Sequence, residues 1–358
     1  MIKKVYEGSI NYMQILDENG VVDKSLMPKE ITGPLVIGMY RNMSLTRAVD
    51  SKVLSLQRQG RSYTYGPCIG EEATQIGSAM AMRKQDIFVP NFRQHGVFIT
   101  RGMPLDRFFL YWKGYEDGNV IPKGVNGYPV IIPVSSQLPH AAGIAFAQRY
   151  MKRDSAVVTY VGDGGSSEGD TYEAMNFAGL FKVPCVFIIE NNQWAISVPR
   201  KNQTAAETLA QKGVAAGIKN ILQVDGNDVF AVYKAVSDAI AASSGGPTVI
   251  ECVTYRMSMH TTSDDPTKYR EQSEVDMWKQ RDPLERLRKY MAANGLWNDN
   301  LQKEMEEQNI KVVDDAVEKA EAFKLDPRSM YQNVYSFMPQ TLQEEMDEML
   351  ESSTAHTE

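Results

Sequence analysis

The chain has 358 residues, of which 43% are hydrophobic and 23% are charged, a composition ordinary for a globular protein with a sizeable core. Its formal net charge of −7 argues against a general nucleic-acid binder, because such proteins usually carry a basic face. Since no charge-free apolar stretch reaches the roughly 18 residues of a membrane span, and the first residues lack the apolar core of a signal peptide, we expect a cytoplasmic protein without membrane partners.

Helices are predicted towards both ends of the chain. Pro34 opens an apolar pattern of helical spacing that Gly60 ends, and a second helix is predicted over residues 71–82. Residues 275–323 are predicted to be amphipathic helix. The acidic tail, residues 343–358, is predicted to be a helix that frays into a mobile end.

The middle of the chain carries the signals of a parallel sheet. Four short β-rich runs lie at residues 155–162, 183–190, 220–226 and 247–255. Longer helical stretches separate them, as in buried parallel strands with crossover helices, whereas residues 114–139, rich in Gly and Pro, are predicted to be a loop region. We therefore predict an α/β fold, a doubly wound and mostly parallel sheet with helices on both faces. The predicted organisation is an N-terminal helical extension (1–60), an α/β domain (61–272) and a C-terminal helical region with the acidic tail (273–358).

The first of these runs leads directly into the stretch GDGGSSEGD, residues 162–170. Closely spaced glycines let a backbone bend sharply and approach another group. The N–H groups of such a turn, at the start of a helix, attract phosphate. Asp163 would repel a bare phosphate, so the stretch predicts a divalent cation between this carboxylate and phosphate oxygens.

A magnesium ion needs about six oxygen ligands, so a second protein ligand is expected at a neighbouring strand end. The run 183–190 ends at Asn191 and Asn192, and 26 residues separate Gly164 from Asn191. A main-chain carbonyl near Trp194 would add a third oxygen. The alternatives are a tight turn with an N-capping Asp163 and a dinucleotide-binding turn, although GDGGSSEG is not GxGxxG; a P-loop is excluded because no GK[ST] follows.

GDG followed by NN at this spacing resembles the thiamin diphosphate fingerprint of transketolases and of 2-oxo acid decarboxylases and dehydrogenases. The segments GDGGSSEGDTYEAMNFAGLFKVPCVFIIENNQWAIS, QVDGNDVFAVYKAV and HTTSDDPTKYR resemble the alpha chain of the decarboxylating component of 2-oxo acid dehydrogenase complexes, of the branched-chain and pyruvate types. Matching segments run from about residue 35 to residue 300. The resemblance implies the thiamin diphosphate-binding fold, with thiamin diphosphate and Mg²⁺ as cofactors.

The resemblance also implies the residues of the site. Asp163 and Asn192 would bind Mg²⁺ through their side chains and Trp194 through its main-chain oxygen. The residues implied to contact the cofactor are Phe92, Arg93, Ile132, Val134, Gly162, Gly164, Gly165, Arg256 and His260. Pro133, Ser136 and Gln137 match positions that hold a potassium ion in some relatives. Two positions depart from the pattern: Phe92 replaces a usual tyrosine, and Glu190 replaces the arginine of branched-chain animal relatives.

His260 lies in a long polar loop, residues 256–270, directly after a predicted strand. A histidine in such a loop can be a solvated surface group, but strand ends are where α/β sheets place their sites. By resemblance, the loop closes over the cofactor, and His260 contacts its phosphate and stabilises or protonates the substrate and intermediate. Arg256, Asp264, Tyr269 and Arg270 are predicted to order the loop. Phosphorylation of Thr261 or Ser263, in the region modified in animal relatives, is a hypothesis.

The resemblance implies a thiamin site built from two halves, and this chain is expected to carry one of them, because it shows no second glycine–asparagine fingerprint. Relatives pair two alpha with two beta chains, and the beta chain supplies the glutamate that activates the cofactor. We therefore expect oxidative decarboxylation of a branched-chain 2-oxo acid, of the 3-methyl-2-oxobutanoate type, and reductive acylation of the lipoyl domain of an acyltransferase. Pyruvate and acetoin dehydrogenase alpha chains are the near alternatives. A transketolase half and a catalytically silent scaffold subunit are the remote ones.

Overall fold

The computed structural model describes residues 1–332 and 334–355, so the last residues of the predicted acidic tail, 356–358, lie outside the described residues. The strands are β1 (Asn11–Met13), β2 (Ile87–Val89), β3 (Val157–Gly162), β4 (Cys185–Asn191), β5 (Trp194–Ala195), β6 (Val198–Pro199), β7 (Asn220–Asp225) and β8 (Thr248–Val253).

The helices lie on either side of these strands and continue beyond them towards the C-terminus. They are α1 (Gly33–Arg58), α2 (Glu72–Ala81), α3 (His95–Thr100), α4 (Leu105–Trp112), α5 (Gln137–Tyr150), α6 (Gly169–Phe181), α7 (Arg200–Gln203), α8 (Lys212–Ala215), α9 (Val229–Ala241), α10 (Gln272–Lys279), α11 (Pro283–Ala293), α12 (Asp299–Glu321), α13 (Ser329–Gln332) and α14 (Gln340–Ala355). Within the described residues, none of them combines the length and the apolar character that crossing a membrane requires.

Six strands form one parallel sheet in the order β1-β7-β8-β4-β3-β2, and β5 and β6 form a small antiparallel hairpin. Successive side chains of a strand point to opposite faces, so each sheet strand contributes to two cores. Val158 and Val186 belong to the core shared with α1, α2 and α9. Val157 and Phe187 belong to the core shared with α5 and α6. The predicted α/β class with a mostly parallel sheet is confirmed.

The predicted strands and long helices lie where the sequence places them, whereas two edge strands were not predicted. β1 and β2 have three residues each, too short for a detectable hydrophobic pattern. β1 pairs with β7 and so brings part of the segment 1–60 into the sheet. The predicted domain boundaries remain a prediction.

Asp228 connects the N-terminal segment to α9 through hydrogen bonds. One carboxylate oxygen caps α9 by accepting hydrogen bonds from Phe230 N (2.9 Å) and Ala231 N (3.1 Å). The other accepts from Ile15 N (2.6 Å) and Leu16 N (2.7 Å), just beyond β1. Asp228 is fully buried, so one side chain satisfies four buried main-chain donors.

We expect Asp228→Ala to lower the free energy of unfolding by about 3 kcal/mol, because it removes a helix cap and leaves two further buried N–H groups unpaired. The measurement is urea denaturation followed by circular dichroism. The matched control is Asp238→Ala on the same helix, which removes only an exposed pair with Lys234 and should cost less than about 0.5 kcal/mol. Equal midpoints for the two variants would contradict this role of Asp228.

Candidate functional site

A cavity of about 700 Å³ opens at the carboxyl ends of β3 and β4. Its wall includes most of the residues that the sequence predicts for the site, namely Phe92, Arg93, Ile132, Val134, Gln137, Gly162, Asp163, Gly164, Gly165, Asn192, Trp194 and His260. Arg256, Pro133 and Ser136 are absent from this wall. The fold therefore gathers residues that lie up to 168 positions apart in the sequence, from Phe92 to His260.

The pairing of two strands creates the centre of this cavity. β3 and β4 are parallel neighbours, and Gly162 lies opposite Glu190 in their register. Asp163 follows Gly162, and Asn192 follows the last residue of β4, so both side chains emerge at the same edge of the sheet. This arrangement is what the spacing of GDG and NN predicts.

The glycines of the GDGG turn serve two different purposes. A Cβ atom added at Gly164 would lie 2.7 Å from Ala195 Cβ, and one added at Gly165 would lie 2.8 Å from Val161 Cγ2. These two glycines are therefore required by packing. A Cβ atom at Gly162 would meet no atom within 4 Å, so this glycine leaves open space at the cavity wall.

The three predicted metal ligands have oxygens with free capacity. Asp163 is buried, and its Oδ1 accepts from Gly164 N (2.9 Å) while its Oδ2 has no partner. Asn192 Oδ1 accepts a long bond from Trp194 N (3.2 Å), and Trp194 O accepts from Arg256 Nη1 (3.0 Å). Each of these oxygens can accept once more. Burial raises the pKa of Asp163 to about 6, and a cation at Oδ2 would favour the charged form.

This set of donors suits a hard cation. Carboxylate, amide and main-chain oxygens are the ligands that Mg²⁺ accepts, with water and phosphate completing the shell. Among residues 1–332 and 334–355, no group of three or more His, Cys, Asp or Glu could hold a metal. A metal at this cavity would therefore rely on the amide and main-chain oxygens beside Asp163.

The surroundings of His260 fix its protonation. Its Nδ1 lies 3.0 Å from Arg93 Nη2 and 3.2 Å from Arg256 Nη1. An arginine side chain can only donate, so Nδ1 accepts and the ring proton resides on Nε2. Burial, and then the two guanidinium charges, lower the pKa of His260 to about 3. The neutral ring is thus a hydrogen-bond donor through Nε2.

The two arginines are already engaged by protein acceptors. Arg93 Nη1 donates to Pro67 O (2.6 Å), and Nη2 donates to His260 O (3.0 Å) as well as to the ring. Arg256 is fully buried behind His260, where Nη2 donates to Ile196 O (2.7 Å) and Tyr269 Oη (3.1 Å). Arg256 therefore orders the loop, as predicted, while its predicted cofactor contact remains untested. The hydrogen bonds of Arg93 leave its Nε–H and one N–H of Nη1 unused, so Arg93 could contact a phosphate while keeping them.

Two buried glutamates line the cavity, and sequence reasoning gives neither of them a role. Glu71 accepts from Asn192 Nδ2 (3.0 Å), and Glu190 accepts a short hydrogen bond from Gln94. Burial raises the pKa of both carboxyls, and the charge of Glu71 raises that of Glu190 further. In the sequence, Glu190 stands out only as a departure from a family pattern. Glu71 is the first residue of the predicted helix 71–82, and no local signal marks it as buried.

The residues predicted to hold potassium lie at the N-terminus of α5. Ser136 Oγ donates to Pro133 O (2.9 Å), and Gln137 Nε2 donates to Tyr160 O (2.6 Å). Gln137 Oε1 is buried without a partner. A potassium ion at these residues remains a prediction.

Comparisons with known proteins identify the family of the chain. The family model described as Dehydrogenase E1 component matches residues 40–328. The chain belongs to this family. The pyruvate dehydrogenase E1 component subunit alpha of Staphylococcus aureus is 42% identical over 346 residues, which cover 95% of this chain and 93% of that protein. The protein of the same name from Staphylococcus epidermidis is also 42% identical over 346 residues.

These matches confirm the resemblance derived from the motifs. The chain is an alpha component of a thiamin diphosphate-dependent 2-oxo acid dehydrogenase E1, and therefore part of an enzyme rather than a silent scaffold. The family implies thiamin diphosphate as the cofactor.

We expect the His260 ring to stay neutral, with its proton on Nε2, from pH 8 down to about pH 5, because its pKa of about 3 lies far below the ordinary value of about 6.5. The folded chain takes up this proton only near pH 3, whereas the unfolded chain does so near 6.5, so His260 lowers folded-state stability as the pH falls through that interval. Long-range ¹H–¹⁵N spectra of histidine-labelled protein measure the tautomer, with His260→Gln identifying the signal. A signal that titrates near pH 6.5 would contradict the arginine contacts.

Proposed function

We propose that this chain provides the diphosphate- and metal-binding half of a 2-oxo acid dehydrogenase site and acts with a beta chain. The observation that carries the proposal is a set of unpartnered buried oxygens that all line the cavity. They belong to Glu71, Gln137, Asp163, Glu190 and Gln203. Because each such group costs about 1–3 kcal/mol when left unpaired, their concentration in one cavity favours a site that a cation, water and a ligand complete.

Mg²⁺ would be held by Asp163 Oδ2, Asn192 Oδ1 and the main-chain oxygen of Trp194. Asp163 supplies the one full negative charge among these ligands. The remaining ligands would come from the cofactor's diphosphate and from water, as is usual for Mg²⁺. The proposal is supported by the unpartnered Oδ2 and by the open space at Gly162.

The cofactor's organic part would lie against Phe92, Ile132 and Val134. Ile132 and Val134 are 50% and 55% exposed on the cavity wall, an unusual exposure for two neighbouring apolar side chains that a bound ring would cover. Thiamin diphosphate, when bound, supplies an electron sink for the loss of CO₂ from a 2-oxo acid. His260 would present its Nε2 proton to the substrate, while the apolar wall excludes water.

Two observations bear on the preferred substrate, and they favour different 2-oxo acids. The relatives that are 42% identical are named pyruvate dehydrogenase subunits, which favours pyruvate. The motifs SEGD and HTTSDD favour a branched-chain 2-oxo acid, in line with the expectation from the sequence. We take pyruvate as the first candidate and branched-chain 2-oxo acids as the second. In either case, the acyl group would pass to the lipoyl domain of an acyltransferase.

The beta chain would dock on the exposed faces of α5 and α6. Phe146 and Tyr150 of α5 and Phe177 and Phe181 of α6 form an exposed aromatic patch, with ring centroids 5.3 Å apart for Phe146 and Phe181. Both helices begin beside the site, since Gln137 lines the cavity and α6 follows the glycine turn. An exposed apolar patch on two helices that begin at an incomplete site favours the missing subunit as its partner.

Asp163→Asn should lower activity by more than about 100-fold, because the amide cannot supply the negative charge that Mg²⁺ requires. The assay follows reduction of an artificial electron acceptor by the chain co-expressed with its beta chain, against pyruvate and the branched-chain 2-oxo acids. Asp154→Asn is the matched control, since Asp154 lies near the other end of β3 and its side chain is 83% exposed. Full activity of Asp163→Asn would reject the metal site, and the ranking of substrates decides between the two candidates.

Leu180→Glu should prevent association with the beta chain and leave the fold of this chain intact. Leu180 is 71% exposed and lies one helical turn from Phe177 on α6, so a carboxylate there would have to be desolvated in the interface. Co-purification through a tag on the beta chain measures the association. Ile310→Glu on α12, at a side chain that is 61% exposed, is the control and should co-purify normally. Undiminished recovery of Leu180→Glu would place the interface elsewhere.

A further inference from the structure

Lys212, the first residue of α8, donates hydrogen bonds to the two serines of the glycine turn. Its Nζ donates to Ser166 O, Ser166 Oγ and Ser167 Oγ, each at 2.8 Å. Lys212 is 4% exposed, and neither it nor the two serines line the cavity. The ammonium group therefore lies on the side of the turn that faces away from the cavity.

The main-chain oxygens of the turn, residues 163–166, are all held by side-chain donors. Ser166 Oγ donates to Asp163 O (2.6 Å), and Gln203 Nε2 donates to Gly164 O (3.3 Å). Gly165 O accepts from Ser135 Oγ and Thr171 Oγ, both at 2.7 Å. Lys212 completes the set at Ser166 O and is its one charged donor.

The charge of Lys212 is poorly compensated within the chain. All three acceptors of Nζ are neutral oxygens, and Asp163 and Glu251 act on it only through space. Burial, and then the nearby charge of Arg200, lower the pKa of Lys212 to about 8. A buried ammonium without a carboxylate partner is costly, and an anion on the opposite side of the turn would offset that cost.

We propose that Lys212 is a positioning residue for the diphosphate group, in which a buried positive charge behind the glycine turn attracts the anion that binds in front of it. This inference rests on the proposed function, since it assigns the anion to thiamin diphosphate. Lys212 acts through Ser166 and Ser167 and does not touch the ligand. It complements Arg93, whose terminal nitrogens are engaged by Pro67 and His260.

The test is the affinity of the assembled complex for its cofactor. The chain, co-purified with its beta chain and freed of metal and cofactor with a chelator, is titrated calorimetrically with thiamin diphosphate at saturating Mg²⁺. Lys212→Met removes the charge, Lys212→Arg keeps it, and Lys219→Met removes a lysine from an exposed position as the control. At pH 7 we expect the dissociation constant to rise by about tenfold or more for Lys212→Met, and to stay within about threefold for Lys212→Arg and Lys219→Met.

The pH profile separates charge from simple packing. Anion binding stabilises the protonated lysine, so wild-type affinity should be complete below the free-state pKa of about 8 and fall as the pH rises through it. Arginine stays charged over this range, so the affinity of Lys212→Arg should lack that decline. Arg200, Asp163, Glu251 and the Tyr172 ring, 5.7 Å from Nζ, surround the position in both proteins, so the difference between the profiles reports Lys212 alone.

Each outcome supports or overturns this role of Lys212. Unchanged affinity of Lys212→Met overturns it, as do identical pH profiles for the wild type and Lys212→Arg. If Lys212→Met fails to assemble, the pH profiles of the wild type and Lys212→Arg still decide whether the charge of Lys212 acts on the anion. If the wild-type complex binds no thiamin diphosphate, the proposed function is rejected, and the role of Lys212 is rejected with it. If the wild type binds normally and Lys212→Met binds equally well, only the role of Lys212 is rejected.

Discussion

The parallel register of β3 and β4 is the constraint on which the rest of the site depends. With Gly162 opposite Glu190, the two strands end at the same level, and the next residues of each chain segment face one cavity. Residues on these two strands are fully buried on both faces of the sheet, so a slip of the register would disturb both cores. The hydrophobic cores thus restrict the separation of Asp163 and Asn192, the two side chains proposed to bind a metal.

Around this fixed edge, the chain leaves polar groups unsatisfied, which folded proteins ordinarily avoid. The cavity wall holds the unpartnered oxygens of Asp163, Glu71 and Glu190, three carboxyl groups whose pKa values burial raises. The charges of Arg93 and Arg256 lower the pKa of Glu71 and so oppose the effect of burial. The three carboxyl groups nevertheless keep unpartnered oxygens. Such a site is costly in the isolated chain, and cations and donors from outside would reduce that cost. The same reasoning is consistent with the proposal that a beta chain completes the site.

The sequence predicts those parts of the fold and site that local patterns encode. The apolar runs that form β3, β4, β7 and β8, and the spacing from GDG to NN, are such patterns. Glu71, Gln203 and Lys212 could not be predicted, because their roles arise from tertiary contacts with Asn192, Gly164 and Ser166 that no local spacing marks. β1 and β2 could not be predicted for another reason: a strand of three residues has too little alternation to detect.

The contacts of Arg93 link the loop around His260 to the occupancy of the cavity. Arg93 donates to both the main-chain oxygen and the ring of His260, and the loop is further tied by Thr262 N to Tyr65 O (2.8 Å). The Arg93 guanidinium has about five N–H groups, and the Nε–H and one N–H of Nη1 are used by none of its hydrogen bonds, so a phosphate could engage Arg93 without displacing His260. Arg256 Nη1 also lies 3.2 Å from His260 Nδ1, so this nitrogen would still accept a hydrogen bond, and the ring would keep its Nε2 proton, if Arg93 changed partners. Ligand binding at Arg93 would therefore leave the protonation of His260 unchanged.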